Sequence, residues 1–300
     1  SVVVAAYNEE ANIGRLLKAV LGLIGGEDEV VVVASGCTDN TVPIVRAFER
    51  ADRRIRAIVE GVRRGKASAI NKALDAARGD VLVFLPADVI PSRRFLSAAL
   101  KRLRGSVGVV SCRPVPTNPR KGFSNVASRL IWDIHDETMA WLEREGGLMH
   151  ASGEGFVALR EAVKPIPKDI VNDDAYIAVT ARLMGYRVAY SREAVVFTRG
   201  PGSLRDLMLQ RIRVLYGHYQ IRSRLGRFPT VFEFTAMKRP LAALKILVRV
   251  LSRDLRYVLA FPLLAVVELL AHAVVWLSKL WGGDYSVWPQ IASTKAVITG

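Results

Sequence analysis

Cysteine is almost absent from this sequence, which contains only Cys37 and Cys112 among its 300 residues. Two cysteines cannot build the disulfide framework of a small secreted domain, and this pair lacks the close spacing of a zinc-binding motif. The sequence therefore indicates a protein of a reducing compartment, with both thiols buried in the core.

Acidic residues are also scarce: 28 Asp and Glu stand against 43 Lys and Arg, which gives a formal net charge of +15. Such a charge attracts nucleic acid, anionic lipid and pyrophosphate-bearing substrates without selecting among them. The sequence has no basic strand interleaved with aromatic residues and no recognised nucleic-acid-binding motif. We therefore expect no nucleic-acid partner.

A signal peptide is not evident, because the apolar run from Ser1 to Ala5 has neither a basic leader nor a cleavage site, and it predicts a strand. Residues 257–277 are almost wholly apolar and have the length of a membrane-spanning helix, although Glu268 and His272 interrupt them. Basic residues precede this segment, so the positive-inside rule predicts a cytoplasmic location for residues 1–200. The alternative is a buried core helix of a soluble protein.

The first 200 residues alternate apolar runs with helical patterns, which is typical of parallel strands joined by crossover helices. The predicted strands cover residues 2–6, 29–34, 55–60, 81–85, 107–111, 157–160, 187–190 and 195–198. The predicted helices cover residues 10–23, 41–50, 66–77, 95–103, 122–144, 173–184 and 204–224. Residues 241–251, apolar except for Lys245 and Arg249, suit a helix lying in the lipid headgroup plane.

Polar segments follow three of the predicted strands. They are Tyr7-Asn8-Glu9-Glu10, Ser35-Gly36-Cys37-Thr38-Asp39-Asn40-Thr41 and Pro86-Ala87-Asp88. In an open parallel sheet, ligands bind beyond the carboxyl ends of the strands. Each segment alone could simply cap a helix or shape a turn. Three of them at one edge of a sheet predict a binding cleft.

These segments and those that follow them resemble family 2 glycosyltransferases with the GT-A fold, over roughly residues 2–225. The subgroups concerned are the cellulose and hyaluronan synthases and the dolichyl-phosphate mannose synthases. The motifs that carry the resemblance occur in the family's order: Tyr7-Asn8-Glu9-Glu10, Thr38-Asp39-Asn40-Thr41, Gly65-Lys66, Ala87-Asp88 with Pro91, Ser152-Gly153, Asp173-Asp174 and Gln210-Arg211-Ile212-Arg213. The resemblance implies a mixed α/β sheet flanked by helices, followed by interfacial and transmembrane helices.

The resemblance implies a nucleotide-sugar donor and a Mg²⁺ or Mn²⁺ ion that neutralises the departing pyrophosphate. Members of the family hold the metal with an Asp-any-Asp triplet. This chain has Pro86-Ala87-Asp88 at that place, so Asp88 is the remaining carboxylate. We therefore expect weak metal binding in the absence of the donor.

By the same resemblance, the donor-binding residues are Ala6, Tyr7, Glu9, Ser35, Asp39, Lys66, Ala87 and Asp88. The family commonly has an aspartate that contacts the base at position 35, so Ser35 leaves the identity of the base open. Lys66 follows Gly65 at a predicted helix start and adds positive charge near the nucleotide. The alternative for Lys66 is a solvated basic turn.

Inversion at the sugar requires a base that deprotonates the acceptor hydroxyl, and Asp174 matches the family's base. Two adjacent acids at a helix start could instead only favour the helix dipole. The resemblance places Gly153, Asp173, Gln210 and Arg213 at the acceptor or pyrophosphate, and the last two share a helix face because they are three residues apart. Val214 replaces a tryptophan that stacks on the acceptor sugar in the related synthases, which favours single additions over processive synthesis.

The expected organisation is a GT-A catalytic domain over residues 1–200, acceptor-side and membrane-interface helices over 201–254, a transmembrane helix over 255–281 and a tail over 282–300. In the tail, Thr294-Lys295 resembles a phosphate-contacting segment of some relatives, which requires the tail to return to the catalytic side. A single membrane crossing does not allow that return.

The expected activity is inverting, metal-dependent transfer of mannose from GDP-mannose to a lipid-linked saccharide at the cell membrane. The alternatives are a UDP-hexose donor, a dolichyl-phosphate sugar synthase, a nucleic-acid-binding protein and an inactive sensor of nucleotide sugars. The oligomeric state stays open.

Overall fold

The computed structural model describes residues 1–280 and 292–295. Within these residues the strands form one sheet in the order β3-β2-β1-β4-β7-β6-β8-β5. The strands are β1 (Val2–Ala6), β2 (Val30–Ser35), β3 (Ile55–Glu60), β4 (Val81–Phe84), β5 (Ile90–Pro91), β6 (Val107–Pro116), β7 (Phe156–Leu159) and β8 (Arg187–Thr198). The helices are α1 (Ile13–Leu21), α2 (Thr41–Ala51), α3 (Lys66–Ala76), α4 (Phe95–Arg102), α5 (Phe123–Arg144), α6 (Asp173–Leu183), α7 (Leu204–Leu225), α8 (Phe232–Lys238), α9 (Pro240–Leu251) and α10 (Leu255–Leu280).

The N-terminal half of the sheet is parallel. Strand β1 lies between β2 and β4, and β2 also pairs with β3, all in the same direction. Strands β1, β2 and β4 are almost wholly apolar because helices cover both faces, and every residue of β2 is buried. Strand β3, at the edge of the sheet, contains Arg56 and Glu60 and is partly exposed. Helix α1 packs on the sheet through Ile13, Leu16, Leu17 and Val20, which share one helix face. The carboxyl ends of β1, β2 and β4 therefore meet at one edge.

The C-terminal half of the sheet is mixed, as the resemblance implies. Strand β7 is antiparallel to both β4 and β6, and β5 is antiparallel to β8. The two short strands predicted at 187–190 and 195–198 are one strand, β8. A register irregularity between Ser191 and Val195 accommodates the polar residues that interrupt the apolar pattern there.

Strand β5 and helix α8 are absent from the sequence-based prediction, because two residues and seven residues are too short to show a period. The prediction of two buried thiols is confirmed for Cys112 and wrong for Cys37, which is half-buried. Cys37 lies in the loop after β2, at the edge of the sheet rather than in its core.

Helix α10 lies along the domain over its whole length. Tyr257, Ala260, Leu264 and Val267 pack into one apolar cluster with residues of α5 and α7, and Ala271 and Val275 pack into the next cluster along α7. These positions recur every three or four residues and therefore form a single helix face. The buried face of α10 is thus continuous from Tyr257 to Val275.

The opposite face of α10 is apolar and exposed: Leu259, Leu269 and Trp276 expose 73%, 70% and 65% of their surface. By length and composition, Leu255–Ser278 is the one described helix that could cross a membrane, and 28% of its most apolar window is buried in the structure. Most of this segment is therefore not covered by the described residues.

Candidate active site

A cleft of about 690 Å³ opens at the edge where β1, β2 and β4 end. This is the edge at which open α/β sheets bind ligands, and the volume is that of a cofactor-sized site. The opposite wall of the cleft comes from α5, α7, α8 and α10. The sheet edge and the C-terminal helices therefore form the cleft together.

Twelve of the thirteen residues predicted for the site line this cleft. They are Ala6, Tyr7, Glu9, Ser35, Lys66, Ala87, Asp88, Gly153, Asp173, Asp174, Gln210 and Arg213. These residues are spread over more than two hundred positions of the sequence, and the fold brings them to one place.

Asp39 is the residue that the structure places elsewhere: it does not line the cleft. Its carboxylate accepts hydrogen bonds from the backbone N–H groups of Glu10 and Thr41, both at 3.0 Å. Thr41 in turn accepts a hydrogen bond from the backbone N–H of Glu9 at 2.7 Å through its hydroxyl. Asp39 therefore holds the loop after β1 against the start of α2, and its direct contact with a donor stays a prediction.

The loops that follow β1, β2 and β3 contact one another where they line the cleft. The Arg63 guanidinium lies 4.0 Å above the ring of Tyr7. The Ser35 hydroxyl lies 3.4 Å from both the Val62 carbonyl and the Arg64 backbone N–H. Gly36 has a φ of +65°, and a side chain at this position would meet the Arg63 backbone, so only glycine fits.

Lys66 lines the cleft, and its side chain remains 42% exposed. Its Nζ is 3.0 Å from Oδ1 of Asp173, a buried carboxylate at the first turn of α6. Burial alone would lower the pKa of Lys66, but Asp173 and Asp174 outweigh burial and raise the pKa. Lys66 is therefore cationic and joins the starts of α3 and α6.

Asp174 is half-buried at the start of α6, next to Gly153. Burial, followed by the charge of Asp173, raises the pKa of Asp174 to about 6. A Cβ atom at Gly153 would lie 3.0 Å from Asp174 Oδ2, so the glycine leaves room for the carboxylate. A carboxylate with a pKa near neutrality suits a general base at physiological pH.

Asp88 and Glu154 form a second acidic pair in the cleft. Burial raises the pKa of Asp88, and burial together with Asp88 raises the pKa of Glu154 to about 7. The Thr198 hydroxyl donates a hydrogen bond of 3.0 Å to Glu154 Oε2. Sequence reasoning gave Glu154 no role, although its position between Gly153 and Gly155 marks it as an acid in a close-packed loop.

The oxygen ligands that this part of the cleft offers fit Mg²⁺ or Mn²⁺. Over residues 1–280 and 292–295, no group of three or more His, Cys, Asp or Glu side chains is arranged to hold a metal ion by itself. Asp88 would therefore need ligands from a bound molecule to complete a coordination sphere, as the sequence predicts.

Helix α7 is docked so that Gln210 and Arg213 face the cleft. The Asn172 side chain, directly before α6, donates a hydrogen bond of 2.9 Å to the Val214 carbonyl. It packs against Gly217, where a Cβ atom would lie 2.4 Å from Asn172. These contacts fix the α7 pair relative to Asp174.

Arg211 joins three of the C-terminal helices. It forms ion pairs with Glu233 of α8 and Glu268 of α10, each at 2.5 Å, and its side chain is buried. Glu268, which interrupts the apolar segment in the sequence, therefore has a structural partner. The sequence did not reveal this pairing because the three residues are far apart along the chain.

The tail residues that the structure describes return to the catalytic domain. Residues Ala292–Lys295 form a 3₁₀ turn, in which Ser293 donates a hydrogen bond to Asp206 and accepts one from the Gly202 backbone N–H. Thr294 lines the cleft. The return that the Thr294-Lys295 segment requires is confirmed, while the rest of the predicted tail lies outside the described residues.

Solved structures with the same fold are known. A mannosyltransferase, PcManGT from Pyrobaculum calidifontis, solved with GDP-Man and Mn²⁺, is 25% identical with a TM-score of 0.65, over 94% of this chain and 87% of its own. Glucosyl-3-phosphoglycerate synthase from Mycobacterium tuberculosis, solved with Mn²⁺ and UDP, has a TM-score of 0.51 at 21% identity, over 75% and 79% of the two chains. The predicted GT-A fold is confirmed.

Sequence relatives include a poly-β-1,6-N-acetyl-D-glucosamine synthase of Staphylococcus epidermidis, 24% identical over 77% of this chain. Glycosyltransferase AglD of Haloferax volcanii is 30% identical over 63% of this chain. The matched regions span 57% and 32% of these relatives' own lengths. The sequence profile of the family described as "Glycosyl transferase family 2" matches residues 1–166, more than half of the chain. The chain therefore belongs to glycosyltransferase family 2.

Proposed function

We propose that this glycosyltransferase moves mannose from GDP-mannose, with inversion and with a divalent metal ion, to a lipid-linked saccharide at a membrane. The observation that carries the proposal is the meeting of Asp88, Asp174, Lys66 and Arg213 in one cleft. The complex of PcManGT with GDP-Man and Mn²⁺ supports the choice of donor and metal.

In the proposed reaction, the diphosphate of the donor lies near Lys66 and Arg213, whose positive charges stabilise the negative charge that develops on it. Asp88 would hold Mn²⁺ or Mg²⁺, which acts as a Lewis acid toward the diphosphate when bound. Asp174 takes the proton of the acceptor hydroxyl. The acceptor oxygen then bonds to the anomeric carbon while the bond between that carbon and the diphosphate oxygen breaks, and the nucleoside diphosphate leaves with the electron pair.

A thermal-shift panel tests the donor and metal. We expect GDP-mannose at about a hundredfold excess over its Kd to raise Tm by roughly 5–10 °C in the presence of Mn²⁺ and by much less with EDTA. UDP-glucose with Mn²⁺ is the control. If UDP-glucose raised Tm and GDP-mannose did not, the donor would be a UDP-hexose instead of GDP-mannose. If neither nucleotide sugar raised Tm, the proposed function would be contradicted.

Membrane attachment in this proposal uses an apolar face formed by α9 and α10. It includes Leu241, Leu244 and Val248 of α9, all exposed, and the outer side of α10. Lys245 and Arg249 flank the α9 part and are exposed. Apolar side chains bordered by basic ones are typical of a helix that lies in the membrane interface.

The orientation we propose is in the plane of the membrane, instead of the predicted crossing. Helix α10 packs on α5 and α7 from Tyr257 to Val275, so it does not leave the domain along this length. The return of Thr294 to the cleft agrees with this orientation. A helix in the plane has no crossing for the positive-inside rule to orient, so the cytoplasmic location stays a prediction.

Flotation with vesicles of phosphatidylcholine and phosphatidylglycerol tests the apolar face. We expect Leu259→Glu with Leu269→Glu to reduce the vesicle-bound fraction at least tenfold, because a charge inserted into hydrocarbon costs several kcal/mol. Leu183→Glu is the matched control, since Leu183 is exposed on α6, outside the face. If the double variant and Leu183→Glu bound vesicles to the same extent, the assignment of the α9 and α10 face to the membrane would be contradicted.

A further inference from the structure

All four histidines of the sequence line the cleft. Three of them form a histidine cluster: His135 on α5, His150 in the loop before β7 and His218 on α7. The ring centroids of His135 and His150 are 5.5 Å apart, and those of His150 and His218 are 5.9 Å apart, with nearly perpendicular rings. Residues far apart in the sequence thus build one continuous imidazole surface.

Each ring of the histidine cluster has a buried nitrogen without a hydrogen-bond partner among the residues that the structure describes. These atoms are His135 Nε2, His150 Nδ1 and His218 Nδ1. The side chains are well enclosed, since His150 and His218 expose only 6% and 3% of their surface. Buried polar groups without a partner are costly and uncommon, so these nitrogens call for partners supplied by a bound molecule.

A metal ion does not fit the histidine cluster, because no three ligating side chains of the described residues are arranged to hold one. An anion does not fit either. The charged groups that face these rings are Asp136, Glu233 and Arg211, with His272 nearby, and Arg211 already pairs with both Glu233 and Glu268. Burial lowers the pKa of His135 and His218 to about 4, so the rings are neutral at pH 7.

The charges proposed to bind the diphosphate lie close to a different group of cleft residues. Arg213 acts electrostatically on Lys66, Asp88, Glu154 and Asp174, whereas Arg211 acts on His135 and His218. The cleft therefore has a charged end for a diphosphate and a neutral, polar end that can both donate and accept hydrogen bonds.

Apolar side chains line the same cleft as the histidine cluster. The ring of Trp132 stands edge-on to His135 with centroids 5.3 Å apart, and Phe232, Phe261 and Leu264 line the same cleft. A sugar ring has hydroxyl groups, which can pair with ring nitrogens, and C–H faces, which pack on apolar surface. The cleft offers both. Phe261 and Leu264 belong to α10, whose outer side is the proposed membrane face, so a lipid attached to that sugar has a short path to the bilayer.

We propose that the histidine cluster is the subsite for a neutral sugar residue of the acceptor, whose hydroxyl groups pair with the three unpartnered ring nitrogens. This inference rests on the proposed function and deepens it. It assigns the acceptor to the class of saccharide-terminated lipids and excludes a bare lipid phosphate from this end of the cleft.

Calorimetric titration of the full chain, saturated with GDP and Mn²⁺ to prevent turnover, tests the subsite. The probes are octyl α-mannoside and octyl β-glucoside as neutral sugars and farnesyl phosphate as the lipid phosphate. We expect one of the octyl glycosides to bind, and His150→Phe or His218→Phe to weaken it about fivefold to tenfold, the effect of one lost hydrogen bond. Phenylalanine keeps a ring for packing and removes only the nitrogens.

Two further variants make the result specific. His218→Asn keeps a nitrogen close to the position of Nδ1 and should retain most of the glycoside affinity. Trp141→Phe removes a ring nitrogen from α5 at a residue that does not line the cleft and should leave it unchanged. The Kd for GDP with Mn²⁺ should stay within twofold in every variant, which also reports that the variants are folded.

The inference is overturned if neither octyl glycoside binds the wild type, if the phenylalanine variants bind it as the wild type does, or if farnesyl phosphate binds and loses affinity in those variants. A wild-type protein that does not bind GDP with Mn²⁺ would instead contradict the proposed function. The two failures are therefore distinguishable.

Discussion

Replacing Asp174 with asparagine should lower kcat by about 10²–10⁴-fold, which is the usual contribution of a positioned general base. The amide has the size of the carboxylate but cannot take up the proton of the acceptor hydroxyl group. Donor binding should persist because Lys66 and Asp88 remain. Initial rates at saturating donor and acceptor, with the donor Kd measured separately, distinguish loss of the base from loss of the site.

The pH profile of kcat gives an independent measurement of the same base. Burial and Asp173 raise the pKa of Asp174 to about 6, and a base works only in its ionised form. Wild-type kcat should therefore be constant above that pH and fall about tenfold per unit below it. Asp174→Asn should remove this acid limb.

Glu154→Gln is the matched comparison, because Glu154 also lies in the cleft and has a pKa raised to about 7. If Glu154→Gln abolished turnover and the acid limb while Asp174→Asn kept both, the base would be Glu154. A loss of donor binding in Asp174→Asn would show that the substitution damages the site more widely.

Replacing Asp88 with alanine should abolish the Mn²⁺-dependent part of donor binding. By the family resemblance, Asp88 is the carboxylate that would hold the metal, and its neighbours Pro86 and Ala87 offer no side-chain oxygen. Loss of the cation's charge on the diphosphate costs several kcal/mol. We expect the donor Kd in Mn²⁺ to rise at least about a hundredfold, to the value that the wild type has in EDTA.

Titration of GDP-mannose with and without Mn²⁺ measures this effect. Asp80→Ala is the control, since Asp80 is an exposed acid directly before β4 and outside the cleft. A variant that keeps the full Mn²⁺ response would show that the metal is held elsewhere, and Glu154 would then be the next carboxylate to replace.

The N-terminal half of the site could be predicted from the sequence because of parallel strand geometry. Polar residues that end apolar runs must lie at one edge when the strands run in the same direction, and Tyr7, Ser35 and Asp88 do so. The family resemblance added Asp174 and Arg213, which lie on helices whose packing the sequence does not specify. Asp39 also follows a strand, but its carboxylate accepts hydrogen bonds from backbone N–H groups and does not line the cleft. Position after a strand is therefore not sufficient to predict a site residue.

The histidine cluster could not be predicted, because no local period relates His135, His150 and His218. Their contact depends on how α5 and α7 cross, which is decided by packing over many side chains. The same is true of α10. Its apolar composition predicts a nonpolar environment, but composition does not distinguish lipid from protein. In the structure one face of α10 is buried against the domain and the other is exposed.

Helix α10 is a wall of the active-site cleft on one side and an uncovered apolar surface on the other. Detergent bound to that surface would therefore contact a wall of the proposed acceptor site. A micelle that wedges between α10 and α7 would separate Glu268 from Arg211 and widen the cleft. Preparations solubilised in different detergents should consequently differ in acceptor KM while keeping the same affinity for nucleotide.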